Sequence, residues 1–539
     1  MHNSRPADEE LAAEQPLSAS TPLSHTEGVW YSLGGNADAV SALPVSTSPL
    51  NSFTELPSMS LATHARDPPR PDDDHGYNPD SVLDIMLPRG RLYKIIEMYF
   101  DYIHPLTPLL HSTTFWRDLE RRRELDWGQE EWTALVLSVV ALTTCQLPYT
   151  FIPMTRDDAR GLVQRCNAHI RTSQAIEWEK WSIERAMTTL IQSQTMSLLG
   201  KSQLAVTFRG IVTVNFTYQQ LHLDNPLLER EQWRRLWWLA YCGDVTVVAL
   251  HDRPTLYHED DIAMDLPAEI DDQFLTELET LPPPINYVHR ISGFLYNCKL
   301  FRLLGDILEK RRRDRRRPPR DVNLQLRFLE LDQLHHQVVH LMDSCPDELR
   351  SQVRNPDQTL AALMESVLQG GPTELPPLDT LAQADIQPTF IIQQANIYVT
   401  QQLARTLLVR YREELVRLYD QEVALGLAPV IPNITTHAAI QAERDDIVNT
   451  LILVLERLPL HVAGEAAALS ATDTHVAVNT YWLVSKIRFV ASSLLDSPAS
   501  EENPSSSDRI LTQLWRLVGF LNDLECLYSP AASLHQINL

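Results

Sequence analysis

The stretch REQWRRLWWLAYCGDVTVVALHDRP, from Arg230 to Pro254, decides the fold class of this chain. The chain has 11 tryptophans in 539 residues, and three of them fall within six positions here, beside two arginines. The apolar positions recur at spacings of three and four, which is the period of an α-helix. We predict a helix over about residues 229–250. Because Trp237 and Trp238 together cover more than one side, neighbouring elements should enclose this helix.

The charged start of the stretch has two open interpretations. Arg234 and Arg235 lie one turn before Trp238. At that distance a guanidinium can stack on an indole or pair with a carboxylate.

The rest of the chain also favours helix. Glycine is low at 17, and long segments are rich in Leu, Ala, Gln, Glu and Arg. Residues 132–144 are apolar on nearly all faces, which predicts a buried core helix. Ser182 should cap a further helix that ends at Gly200, and Thr113 or Thr114 should cap one over residues 115–123. No segment shows sustained alternation of period two, so we predict an all-α fold.

Composition divides the chain into four regions. Residues 1–78 are rich in Ser, Thr and Pro and should form a disordered leader. Residues 79–345 should form the core of a multi-helical domain. Residues 346–385 contain proline and glycine breaks and should be a linker, and residues 386–539 should be the C-terminal helical part of the same domain.

Charge and cysteine usage limit the function classes. Lys and Arg number 46 against 70 Asp and Glu, so a net charge of -24 argues against a nucleic-acid clamp. The six cysteines are spaced by about twenty residues or more, so there is no CxxC zinc site and no disulfide framework. Without a signal peptide or an apolar run of about 20 residues, we expect an intracellular protein with no membrane partner.

Recognisable catalytic and metal motifs are absent from the sequence. There is no GxGxxG, GxxxxGK[ST], HExxH or GxSxG. His335 and His336 point about 100° apart on a helix and cannot grip one ion from one face. The HEDD segment, residues 258–261, is best interpreted as a solvated acidic loop, and His104 and His111 as hydrogen-bonded structural residues. We therefore expect no catalytic residue, no metal ligand and no enzymatic activity.

A basic run interrupts the acidic chain just before Pro318-Pro319. One interpretation is an extended nuclear import signal, and another is a solvated helix end whose charges complement the helix dipole. A third and weaker interpretation is contact with nucleic-acid phosphates. On the first interpretation, replacing the arginines should leave the fold intact. The run consists of Lys310, Arg311, Arg312, Arg313, Arg315, Arg316 and Arg317.

The opening stretch resembles the middle homology region of fungal binuclear zinc-cluster transcription factors. Two positions depart from that family's pattern: Val245 replaces the usual Arg, and Asp252 replaces the usual Gly. Residues 98–115 and 220–224 resemble further segments of the same region. The matching residues of the signature are Arg234, Arg235, Leu236, Trp237, Trp238, Tyr241, Asp244, Arg253, Pro254, Asp261 and Ile262.

The resemblance implies a nuclear regulator of genes transcribed by RNA polymerase II, with a metabolic or secondary-metabolite gene cluster as a candidate target. The family's zinc cluster needs six cysteines within about thirty residues. The first cysteine here is Cys145, so we expect no zinc cofactor in this chain.

The expected partners follow from that missing cluster. They are a DNA-binding transcription factor or homologous subunit, the transcription machinery and a small-molecule effector, with DNA contacted only indirectly. An alternative is a helical scaffold or inhibitor that sequesters a related transcription factor. An enzyme with an unrecognised site is a more distant alternative.

Overall fold

The computed structural model confirms the all-α prediction. Within the residues that it describes there are fourteen α-helices and no strand, apart from an isolated bridge between Leu275 and Thr280. The predicted leader, residues 1–78, lies outside the described residues. None of the described helices is both long enough and apolar enough to span a membrane. The described residues are 81–147, 154–174, 181–219, 226–258, 264–320, 322–350, 388–426, 437–457, 480–495 and 504–526.

The helices follow one another with short connections or with gaps in the described chain. They are α1 (Val82–Met86), α2 (Arg89–Met98), α3 (Ser112–Glu120), α4 (Glu130–Gln146), α5 (Arg156–Gln174), α6 (Ile183–Leu198), α7 (Ser202–Gln219), α8 (Leu227–His251), α9 (Ser292–Arg316), α10 (Val322–His340), α11 (Pro388–Ala424), α12 (His437–Arg457), α13 (Thr480–Leu495) and α14 (Pro504–Cys526).

Helix α4 lies at the centre of the N-terminal half. Every residue from Trp132 to Cys145 is buried, as the apolar run predicts. The helix contacts α2, α5 and α6. Because all its faces meet protein, no polar stripe is needed along it.

Helix α5 is one that our sequence analysis does not predict. Its mean hydropathy is low, but the buried residues Ala159, Leu162, Val163, Cys166 and Ile170 recur at helical spacing. That narrow apolar stripe packs on α4. Its spacing is the feature of the sequence from which the helix could have been predicted.

The two predicted helix caps have different outcomes. The Ser182 hydroxyl accepts a hydrogen bond from the Arg185 amide at the start of α6, as predicted. Gly200 follows that helix with φ of +69°, which only glycine adopts easily. At α3 the prediction is wrong. His111 is the capping residue, because its Nδ1 accepts from the Thr114 amide and the helix begins at Ser112.

Helix α11 joins the two halves of the described fold. At 37 residues it is roughly 55 Å long. It contacts α9 and α10 on one side and α12 and α13 on the other, and it contributes to both apolar clusters. The first residues of the predicted linker pack on the fold: Leu349 is buried, and the Glu348 carbonyl accepts from Gln394 on α11. Residues 351–387 lie outside the described residues.

Candidate functional site

The tryptophans of the opening stretch form the buried centre of α8. Trp233, Trp237 and Trp238 are among the largest fully buried side chains. The Trp237 ring stacks on Tyr241 with centroids 5.2 Å apart, and the Trp238 indole donates to the Asp265 carbonyl at 2.8 Å. These contacts fill the core and position the loop after α8, so they account for the enclosure that the sequence predicts.

Arg235 pairs with a carboxylate, which settles the two alternatives left by the sequence. It is 1% exposed, and its guanidinium donates to Asp272 Oδ1 at 2.7 Å and to the Ile270 carbonyl at 3.2 Å. Glu231, one turn earlier, lies 3.5 Å from Arg235 and accepts from the Ala268 amide at 2.9 Å. The charged start of α8 therefore holds the segment 268–272.

Asp272 is the meeting point of three parts of the chain. Its carboxylate accepts from the Ser112 amide at 2.7 Å and lies 3.8 Å from His104 Nε2, while its carbonyl accepts from His111 Nε2 at 2.8 Å. Burial alone would raise the pKa of this carboxyl, but Arg235, the two histidines and the Ser112 amide together outweigh burial and hold the pKa well below its usual range. Both histidines are hydrogen-bonded structural residues, as predicted.

Asp244 orders the loop that follows α8. Its carboxylate accepts from the amides of Leu256 at 2.8 Å and Tyr257 at 3.3 Å. Val245, the first departure from the family pattern, is buried in the core. Arg312 of α9 supports the loop by donating to the Thr255 hydroxyl at 2.8 Å and to the Arg253 carbonyl.

The second departure from the family pattern also has a structural context. Asp252 follows α8 with φ of +50° and ψ of +38°, in the left-handed region that favours glycine. Its carboxylate pairs with Arg315 at 3.0 Å. Pro254 is exposed, and Asp261 and Ile262 lie outside the described residues.

The basic run is helical through Arg316, so it is not an extended segment. Arg311 and Arg315 both donate to Glu414 of α11, at 2.6 and 2.8 Å. These contacts give part of the run a structural role at the junction of α9 and α11. Arg316 and Arg317 are exposed at the helix end, before the prolines.

A partly open cavity of about 90 Å³ lies among α6, α7, α8, α9, α11 and α13. Arg209 of α7 and Lys486 of α13 line it, together with Asn297 of α9 and Asn396 of α11. Phe301 is part of its apolar wall. None of these residues was predicted from the sequence. The feature that could have indicated the cavity is a lysine at an otherwise apolar position of α13.

The remaining reactive side chains fit structural roles. Burial raises the pKa of Cys145 and of Cys166 to about 12, so both stay protonated at neutral pH. Among the described residues, no group of three or more His, Cys, Asp or Glu side chains is arranged to hold a metal ion. His258 is described, whereas residues 259–261 of the HEDD segment are not.

Comparison with known proteins identifies the region built around this network. Residues 96–336 match the family model described as the fungal specific transcription factor domain. These residues are therefore similar to a fungal specific transcription factor domain. The matched region spans α8 and its signature, both histidines and the basic run, and the match confirms the resemblance drawn from the signature.

One curated protein that is similar to this chain is the ascochitine biosynthesis cluster transcriptional regulator of Didymella fabae. It is 26% identical over 203 residues. The match covers 34% of this chain and 33% of the relative, so it spans about a third of either protein. No solved structure matches the chain significantly.

Proposed function

We propose that this protein regulates, in the nucleus, a gene cluster for a metabolic or secondary-metabolite pathway that RNA polymerase II transcribes. The observation that carries the proposal is the transcription factor domain at residues 96–336. The pathway class is supported by the relative, whose name places it in a biosynthesis cluster. In this role the chain acts by binding and has no enzymatic activity.

Promoter contact comes from outside these 539 residues in this proposal. The net charge of -24 opposes association with a polyanionic duplex. The cysteines are too widely spaced in the sequence for a binuclear zinc cluster. A DNA-binding partner or homologous subunit therefore positions the chain, which then contacts the transcription machinery.

Deletion of the gene followed by transcript sequencing tests the proposal. We expect coordinated change in a set of adjacent biosynthetic genes, restored by re-expression of the wild-type chain. Chromatin immunoprecipitation of the tagged chain should recover the promoters of those genes. Unchanged transcripts under conditions where the protein is abundant would refute the proposal.

A tethering assay separates direct regulation from sequestration of another factor. Residues 1–539 are fused to an unrelated DNA-binding domain upstream of a reporter gene. Reporter change at the tethered promoter supports direct action. No change there, combined with loss of a related factor from its own promoters, would favour the sequestering role instead.

A further inference from the structure

The cavity among α6 to α9, α11 and α13 is unusual because two buried cationic side chains line it. Its volume is about 90 Å³, whereas a single water needs roughly 10–15 Å³ on the same measure. There is room for several waters or for a small organic molecule. The wall has an aromatic and aliphatic part that includes Trp482, Phe301 and Leu239. It also has a polar part that includes Ser193 and Thr246.

Lys486 brings a positive charge into this cavity without a matching carboxylate. The side chain is 3% exposed, and its Nζ donates to the Thr400 hydroxyl at 2.7 Å and to Asn396 Oδ1 at 3.3 Å. It also lies 5.2 Å from the centre of the Phe301 ring. All these partners are neutral, and no carboxylate among the described residues pairs with Lys486.

Arg209 is a second buried cation on the same wall. Its guanidinium donates to the Gly243 carbonyl at 3.2 Å, and the nearby Asp244 carboxylate offsets its charge. Gly243 is next to Cys242, which also lines the cavity and interacts electrostatically with Lys486. Both cations therefore line one cavity, and the charge of Lys486 is the one left without a carboxylate among the described residues.

An uncompensated buried ammonium is costly, because it loses its hydration without gaining a counter-ion. Burial lowers the pKa of Lys486 to about 8, so the side chain is still mainly charged at neutral pH. A ligand that supplies one negative charge would remove this cost. Asn297 Oδ1 is also buried without a hydrogen-bond partner in the described part of the chain, but it is an acceptor, so a carboxylate cannot satisfy it.

We infer that this cavity binds the carboxylate of a small, partly apolar organic acid, with Lys486 and Arg209 as its charge partners. The Trp482 and Phe301 side of the wall accommodates the apolar part of the molecule. Binding rests on the cavity alone, but a role of the acid as an effector also rests on the proposed function. Since α13 belongs to the C-terminal helices and α6 to α8 to the transcription factor domain, the ligand would join these two parts.

Thermal unfolding of the purified full chain tests the binding. Butanoate and benzoate are the probes, and butanamide and benzamide are neutral controls of the same shape. We expect the acids to raise the midpoint temperature of unfolding by a few degrees. Once the site is saturated, the shift should grow with the logarithm of the acid concentration. The amides should leave the midpoint unchanged. Equal shifts by acids and amides would overturn the proposal.

Two variants locate the site. Lys486→Met should abolish the shift caused by the acids, whereas Lys299→Met should keep it. Lys299 is the matched control because it stacks on the Tyr296 ring at 4.2 Å, outside the cavity. An unchanged shift in Lys486→Met would exclude this site. If that variant does not fold, the comparison of acids with amides on the wild-type protein still decides.

Inorganic phosphate separates a carboxylate site from general anion binding. We expect phosphate at equal concentration to give no shift beyond that of chloride at the same ionic strength. An equal shift by phosphate would overturn the assignment to organic acids. These measurements use purified protein, so a negative result would refute the binding site without refuting the proposed function. A negative transcript experiment would refute the proposed function without refuting the binding site.

Discussion

Arg235 and Asp272 form a buried ion pair although 37 residues separate them in the sequence. The N–O distance is 2.7 Å, and both side chains are almost completely shielded from water. The pair links the start of α8 to the loop after it, and through Ser112 and His111 to the start of α3. The signature of the transcription factor domain is therefore a set of structural cross-links.

Loss of the arginine from this pair should be strongly destabilising. Arg235→Met leaves Asp272 buried without its cation, and we expect the free energy of unfolding to fall by about 3–5 kcal/mol. Arg234→Met is the matched control. Its pair with Glu231 lies nearer the surface, so we expect about 1 kcal/mol or less.

Chemical denaturation monitored by tryptophan fluorescence measures both variants. The double variant Arg235→Met/Asp272→Asn should recover part of the lost stability, because no buried charge is then left alone. Equal losses for Arg234→Met and Arg235→Met would contradict the central role of the buried pair.

Gly305 of α9 should not tolerate a side chain. A Cβ there would lie 2.1 Å from the Tyr241 hydroxyl and 3.2 Å from the Tyr241 Cζ. The ring is buried and stacked on Trp237, so it cannot turn aside. We expect Gly305→Ala to lower the unfolding free energy by about 1–3 kcal/mol.

Gly210 of α7, by contrast, should tolerate a side chain, and the unfolding free energy tests this as well. A Cβ there meets nothing within 4 Å, so Gly210→Ala should stabilise the helix by about 0.5–1 kcal/mol. A stabilising Gly305→Ala would show that α8 and α9 are not packed this closely.

Asp252, which follows α8 in the left-handed conformation, can be tested by substitution. Asp252→Gly and Asp252→Ala both remove the exposed ion pair with Arg315, so they differ mainly in the backbone. We expect the glycine variant to be more stable than the alanine variant by about 1 kcal/mol. Equal thermal midpoints would mean that the chain leaves the left-handed conformation at this position.

The basic run can be divided into structural and exposed parts. Arg311→Ala/Arg315→Ala should lower stability by about 1 kcal/mol, since both pairs with Glu414 are lost from a partly exposed site. Arg316→Ala/Arg317→Ala should leave stability unchanged.

Localisation of fluorescent fusions then tests nuclear import. If the run is an import signal, Arg316→Ala/Arg317→Ala should shift the protein towards the cytoplasm without loss of stability. Retention in the nucleus would assign the run to helix termination and to the contact with α11.

The pH dependence of stability reports directly on Lys486. Burial lowers its pKa from 10.5 to about 8, so the unfolded chain binds this proton more tightly than the folded one. The resulting penalty is fully present below about pH 8 and disappears as pH rises towards 10.5. Lys486→Met lacks the penalty at every pH.

Relative to Lys486→Met, the wild-type protein should therefore gain about 2 kcal/mol of stability between about pH 7 and pH 9.5. Arg209 and Cys242, the other ionisable groups that line the cavity, are present in both proteins. A pH-independent difference would show that Lys486 is not buried as a cation.

Much of the fold can be read from local patterns. The enclosed helix around Trp237, the buried run of α4 and the cap at Ser182 all depend on residues within a few turns of each other. The start of α9 is a counter-example. The helix begins at Ser292, and Asp271, far away in the chain, accepts the amides of Arg290 and Ile291 just before it.

The sequence by itself determined the helical class, the signature and its family, since these depend on periodicity and on residue order. Only the tertiary structure decided what the charged residues do. Arg235 could have stacked on an indole, and Lys486 could have been a solvated lysine. Their partners Asp272 and Thr400 lie far away in the chain. Packing brings them together, because a charge removed from water must find its partner wherever the folded chain places one.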